Sequence, residues 1–296
     1  MNKETLFLKI INETLSDNSY LGNDCAYLKE LNLLVSQDTL VEDVHFKLDY
    51  FTPFELGKKS ALVNISDILS GGGEPKYLTI SLSGNLDETF IKEFYEGLNC
   101  TCNKYKIKVI GGDLTGGDKI TVSICIMGYG LKQISSRKTA KEGDYLYLKG
   151  ITGSSAKGLQ LLLSGIKDKN NEFIKAHIEP KLYPNISKEI ANNTNYPYSM
   201  MDTSDGLYDA IYRISKESNV GFNFEYDKIE KRIDDKELVL FGGEDYGLLI
   251  CLDPKDKPLA DKLGLIQIGH ATKENKIIMD GVILDEYKSF DHFRNS

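Results

Sequence analysis

Several chemistries are missing from this chain of 296 residues. No apolar run approaches the roughly 20 residues that a bilayer-spanning helix needs, so no membrane span is predicted. The N-terminus, MNKETLFLKIINETL, carries acids in an amphipathic pattern and does not read as a signal peptide. Positive charge is scarce: 36 Lys and Arg stand against 44 Asp and Glu, a formal net charge of −8. That balance argues against a broad nucleic-acid or anionic-membrane surface. The five cysteines, at 25, 100, 102, 125 and 251, form no CxxC pair and have no His at ligand spacing. They predict reduced thiols in a cytoplasmic protein and no zinc site. The four histidines, at 45, 177, 270 and 292, are too scattered for an obvious triad.

The familiar phosphate-binding motifs are also missing. Gly57-Lys58-Lys59-Ser60 and the turn at 150–158 both fail the GxxxxGK[ST] spacing, and Gly128-Tyr129-Gly130 fails the dinucleotide pattern. There is no HRD…DFG set and no GxSxG elbow. Any use of ATP must therefore run through carboxylates and metal ions.

What is present is a series of acids in short polar or Gly-rich words: GNDCA (Asp24), SQDT (Asp38), NISD (Asp67), GGD (Asp113), DTSD (Asp202, Asp205) and GGED (Glu244, Asp245). Most fall near a break between an apolar run and a turn, with Ser, Thr or Asn beside them, which suits hard cations such as Mg²⁺ and a polyphosphate cargo. Each word has an ordinary alternative. Asp24 could bond its own turn, DTSD could cap the helix that follows, and GGED could be a hairpin turn. His45, between Val44 and Phe46, reads by itself as a half-buried structural residue. Asp67 is the stronger case, because a carboxylate near the C-terminal end of a helix opposes the helix dipole and favours a compensating cation.

Helices are predicted over 5–15, from the Thr52-Pro53-Phe54-Glu55 start to Gly71, and over 87–105, 154–163 and 206–218. Strands are predicted over 33–36, 77–83, 106–110, 120–127, 145–148, 221–226, 246–252 and 276–284. The mixture implies an α/β (α+β mixed) fold in two halves. A polar stretch from Gly128 to Thr139 marks the junction, placing the domains at 1–135 and 136–296.

The words in this order, with KKSALVNISDILSGGGEP, SRKTAKEGDYLYLKGITGSSAKGL and the terminal FDHF, resemble the thiamine-monophosphate kinase family over about residues 20–293. That family belongs to the aminoimidazole-ribonucleotide synthetase-like superfamily. The resemblance implies a two-domain fold whose N-terminal domain binds ATP and metal and dimerises through its sheet, while the C-terminal domain completes a cleft. It implies phosphorylation of thiamine monophosphate by ATP, several Mg²⁺ ions, K⁺ as an optional activator, and a homodimer. By position, Asp24, Ser36, Gln37, Asp38, Asp67, Asp113, Asp202 and Asp205 match metal sites. Tyr105, Gly112, Asp113, Arg137 and Ser204 match ATP contacts, and His45, Glu244 and Phe290 match substrate contacts. Asp38, Asp113 and Asp202 would carry catalysis electrostatically, with no general base. Asn23 stands where the family usually has Asp, and Gln37 where it often has Thr, which bears on metal stoichiometry. The acceptor phosphate, with a second pKa of about 6, is already largely ionised at neutral pH. Direct in-line transfer therefore needs only positioning and charge neutralisation. The rival readings are another ATP-using enzyme of the superfamily, or a non-catalytic nucleotide- or metal-binding protein.

Overall fold

The computed structural model describes residues 3–284; the expected substrate contact Phe290, with the rest of FDHF, lies outside the described residues. The first half contains α1 (Lys3–Thr14), β1 (Ala26–Leu28), β2 (Leu33–Val41), α2 (Pro53–Ser70), β3 (Gly73–Gly84), α3 (Glu88–Tyr105), β4 (Lys108–Gly116) and β5 (Thr121–Gly130). Its sheet runs β1-β2-β5-β3-β4, antiparallel except for the parallel β3–β4 pair. Strand alternation sends Leu78, Ile80, Leu82, Val122, Ile124 and Ile126 inward against α2 and α3. The opposite face, with Val35, Gln37, Thr39, Tyr77, Ser123, Cys125 and Met127, is half-buried to exposed, and β4 is exposed along its whole length.

Helix α2 starts on the expected capping box: Glu55 N–H donates to Thr52 Oγ1 (3.2 Å) and Thr52 N–H donates to the Glu55 carboxylate (2.9 Å). α2 and α3 cross at their backbones. A Cβ at Gly97 would meet Phe54 O at 1.9 Å, and one at Gly57 would meet Phe94 O at 2.0 Å. That closeness buries α2 on nearly every side, including the polar Lys59, Ser60, Asn64, Ser66 and Ser70. Buried polar groups need partners: Ser60 bonds Leu56 O inside the helix, while Lys59, Asn64, Ser66 and Ser70 find partners around the candidate site.

The second half contains β6 (Tyr145–Lys149), α4 (Ser154–Leu163), α5 (Glu172–Ile178), α6 (Pro184–Asn193), β7 (Ser199–Asp202), α7 (Leu207–Ser218), β8 (Gly221–Phe224), α8 (Lys236–Phe241), β9 (Leu248–Leu252), α9 (Lys257–Lys262), β10 (Ile266–Thr272), β11 (Ile277–Met279) and β12 (Val282–Ile283). The sheet order is β12-β11-β8-β10-β6-β9-β7. One face packs on α7 and α8, the other on α6 and α9. Leu162, Ile174 and Ile178, from α4 and α5, join the core of the first half.

Several boundaries differ from expectation. The Gly111-Gly112-Asp113 turn lies inside β4, and Gly73 opens β3. The strand expected from residue 246 begins at Leu248, because Glu244 and Tyr246 hold φ of 65° and 53°. The 276–284 strand breaks into β11 and β12 around Gly281, and β10 and α8 were not anticipated. Among the described residues, no helix is long and apolar enough to cross a membrane.

Candidate active site

Four acids from separate words meet beneath the C-terminal half of α2. Carboxylate oxygens of Asp24, before β1, of Asp67, on α2, and of Asp202, at the end of β7, all lie within 4.8 Å of one another. Asp38 on β2 joins them electrostatically. Its pKa is pushed up to about 6, first by burial and then by Asp202 and Asp24. Asp202 is likewise raised to about 6 by burial and Asp24, against hydrogen bonds from Ser204 and Ser66. Asp67 is held well above the usual carboxylate range by burial and by Asp38, Asp202 and Asp24.

Hydroxyls fix these acids in place. Ser36 Oγ donates to Asp67 Oδ2 (2.6 Å) and to Asp24 O (3.0 Å). Ser70 Oγ donates to Asp24 Oδ2 (2.9 Å), and Ser66 Oγ donates to Asp202 Oδ2 across the two halves (2.6 Å). Ser204 gives Asp202 Oδ1 both its Oγ–H (2.6 Å) and its N–H (3.2 Å). The backbone N–H of Asp38 donates to Asn64 Oδ1 (3.1 Å).

One cation pairs with this group: Arg137, whose Nη2 bonds Asp24 Oδ1. Like charges about 5 Å apart repel by about 3 kcal/mol per pair at an effective dielectric of ~20. The acids must therefore share protons or bind cations. An all-oxygen donor set of this kind suits Mg²⁺, and the residues fit it. Arg137 Nε is buried and has no hydrogen-bond partner. Arg137 also lines a cavity of about 270 Å³ with Asn23, Asp24, Tyr27 and Ser135, space beside a cation that suits an oxyanion.

Not every expected residue joins this group. Gln37 pairs with Cys125 in the sheet register while Ser36 and Asp38 pair with Ile126 and Ile124. A strand's period of two thus turns Gln37 to the other face, where its Nε2 donates to Ser123 Oγ (3.1 Å). Asp113 lies on exposed β4, opposite Ser81. At Gly112 a Cβ would meet Ile80 O at 2.0 Å, so the β3 backbone by itself requires glycine there. Asp205 is 40% exposed and paired with Arg213 (3.4 Å). Tyr105 lines a different cavity, of about 430 Å³, with Lys104, Lys106 and Glu179. Asn23 Oδ1 accepts the N–H of Arg137 (3.0 Å).

The expected substrate residue Glu244 sits in a second buried group, centred on two residues that the sequence did not single out. Lys59 Nζ lies 3.2 Å from Glu244 Oε1, and His177 Nδ1 lies 3.2 Å from Oε2. Buried Tyr246 feels the charge of both groups, its phenol pKa driven well up by burial and then by Glu244, Asp38, Asp202 and Asp67. Asp245 has a local structural duty: its carboxylate accepts the N–H of Gly153 (2.6 Å) and of Ser155 (2.8 Å) at the start of α4. His45 Nδ1 accepts the N–H of Val41 (3.0 Å) and orders the loop after β2. Helical periodicity was the available signal for Lys59, since it shares a face of α2 with Ser66 seven residues on.

Comparison with known proteins places this arrangement. The AIR synthase related protein family matches through its N-terminal domain over residues 22–131 and its C-terminal domain over 141–281. The thiamine-monophosphate kinase of Aquifex aeolicus (strain VF5) is 31% identical, covering 97% of this chain and 96% of that protein. That of Bacillus subtilis (strain 168) is 33% identical, covering 88% of each. The chain belongs to the thiamine-monophosphate kinase family. Among solved structures, AaThiL complexed with AMPPCP and TMP superposes with a TM-score of 0.88 at 29% identity, covering 99% of this chain and 97% of that one. The hydrogenase maturation protein HypE in complex with ATP, at 15% identity and a TM-score of 0.67, shares the fold. The two-domain mixed α/β architecture is thus that of thiamine-monophosphate kinases.

Proposed function

We propose that this chain transfers the γ-phosphoryl group of ATP to the phosphate of thiamine monophosphate, giving ADP and thiamine diphosphate. The observation that carries this reading is the four-acid group drawn from both halves, with Arg137 as its cation partner, in a chain of this family. We narrow the metal set to Asp24, Asp38, Asp67 and Asp202, with Ser36, Ser66 and Ser204 holding those carboxylates. Bound there, Mg²⁺ would neutralise the polyphosphate and the charge that develops in transfer. Arg137 would offer its free Nε–H to a phosphate oxygen. The ionised acceptor needs no base, so the chain's remaining task is to align donor and acceptor and keep water out. Glu244 and His45 would face the thiamine end, since a fixed thiazolium cation complements a carboxylate.

In this reading residues 1–135 supply three of the four acids, and residues 136–296 supply Asp202, Arg137 and Glu244. The half-buried apolar residues Val35, Tyr77, Cys125 and Met127 on the open sheet face, with exposed Val109, Ile110 and Leu114 on β4, support pairing with a second copy. Purified protein with Mg·ATP should release ADP and form thiamine diphosphate only when thiamine monophosphate is present, as chromatography would show. ADP release that ignores thiamine monophosphate would sink the proposal.

A further inference from the structure

The carboxylate of Glu244 is gripped from behind. Lys59, on α2 of the first half, is 1% exposed, and among the described residues its polar contacts are Glu244 Oε1 at 3.2 Å and His177 O at 2.9 Å. Its ammonium also lies 5.4 Å from the centre of the Phe51 ring. His177, on α5 of the second half, is equally buried. Its Nδ1 reaches Glu244 Oε2 (3.2 Å) and Ser155 Oγ (3.1 Å), while Nε2 has no partner. A carboxylate only accepts and Nε2 has no acceptor, so the ring proton is assigned to Nδ1. The ring is wedged edge-on to Phe51 and tilted against Tyr50, with centroids 6.0 and 6.4 Å away. Glu244 itself is pinned at φ 65°, and its N–H donates to Ser204 O (2.6 Å).

A lone structural ion pair would not need this much. Burying a lysine is expensive, and the expense is offset only when its partner stays ionised and oriented. Each oxygen of Glu244 lies 3.2 Å from a nitrogen of a different half. The side chain keeps 24% of its surface exposed, so part of it faces outward. We infer that Lys59 and His177 are positioning residues that hold Glu244 aimed at the cationic end of the thiamine substrate. This rests on the reading of Glu244 as the substrate-facing carboxylate. It adds that the grip forms only when the two halves are docked, so thiamine recognition reports on their closure.

The test uses steady-state kinetics on the full-length protein. Lys59→Met and His177→Leu each remove one donor and keep the bulk. Each should raise KM for thiamine monophosphate on the order of tenfold, the usual effect of removing a supporting partner, with KM for ATP unchanged. His177→Asn restores a donor at the Nδ1 position and should recover most of the loss. In a Glu244→Gln background, Lys59→Met should add little. Equal rises in KM for both substrates, or full additivity with Glu244→Gln, would show a merely structural role and overturn the inference. If the wild type makes no thiamine diphosphate, the functional reading falls by itself. The grip is then checked without turnover, by ¹⁵N–¹H correlation NMR of the His177 ring. A proton on Nδ1 retains it, and a proton on Nε2 alone overturns it.

Discussion

Two buried charge groups hang from one helix, and they are built on opposite plans. Near the C-terminal end of α2, Asp24, Asp38, Asp67 and Asp202 crowd together with Arg137 as their cation partner. About two turns earlier, Glu244 meets Lys59 and His177 with its charge and both oxygens matched. The first group is unfinished without cations, and the second is complete as it stands. An imbalance of buried charge marks where an exogenous charge belongs, whereas a balanced group marks something set in advance. The buried Tyr246 phenol feels the charge of both groups, so the two plans are close neighbours.

The sharpest way to break this comparison is to remove an acid from the unfinished group. Asp38→Asn and Asp202→Asn should each cut kcat on the order of 10²-fold or more, the scale of losing a group that stabilises transition-state charge. The free protein should lose little stability and could gain, because repulsion falls. Mg²⁺ should raise the melting temperature of the wild type by mass action, and that rise should shrink in both variants. Near-normal turnover with an intact Mg²⁺ response would remove these acids from the site.

The same kind of change in the balanced group should have the opposite sign. Glu244→Gln removes the anionic partner of the buried Lys59 ammonium, and breaking a fully buried pair costs about 3–5 kcal/mol, a figure lowered here because Glu244 is 24% exposed. Urea denaturation should show a lowered midpoint at unchanged slope. A midpoint equal to that of the wild type would mean that Lys59 is already neutral in the fold, in agreement with the downward pull of burial on its pKa.

How much of this was legible follows from the kind of signal each residue leaves. The acids could be read because each lies in a short word with its own hydroxyls or glycines, and α2 could be read from its capping box and apolar spacing. Gln37 shows the limit: it adjoins Asp38 in sequence, yet the strand turns it to the other face. Gly112 looked like a phosphate-approach glycine, and the neighbouring strand alone demands it. Lys59 and His177 were invisible for a different reason. They are 118 residues apart and meet only after the halves dock, and the Gly57-Lys58-Lys59-Ser60 stretch that holds Lys59 fails the phosphate-loop spacing.

His177 offers a way to sharpen the contrast by pH. Burial, and then Lys59, push its pKa down from 6.5 to about 2, even with the Glu244 carboxylate 3.2 Å away. Lys59 already offsets that carboxylate, so burial prevails and the imidazole stays neutral. The sign follows: below pH 6.5 the unfolded chain takes up a proton that the folded chain refuses, so stability falls as pH falls. The slope is about 1.4 kcal/mol per pH unit. His177→Asn should flatten it, so the urea-derived difference between wild type and variant should change by about 2 kcal/mol between pH 6.5 and 5. A constant difference across that range would mean that His177 is protonated in the fold.

The smallest expected effect concerns Asn23, where the family resemblance leads one to expect Asp. Its Oδ1 accepts the N–H of Arg137 at 3.0 Å, and the residue is exposed. A carboxylate can accept the same bond, so Asn23→Asp should shift stability by no more than about 0.5 kcal/mol. The added charge sits in water, beside a guanidinium and outside the buried acids, where screening is strong. Mg²⁺ affinity by isothermal titration should therefore change by less than about threefold. A tenfold tightening would mean that this position reaches the ions directly, and that the unfinished group is one ligand larger than the four acids in this chain.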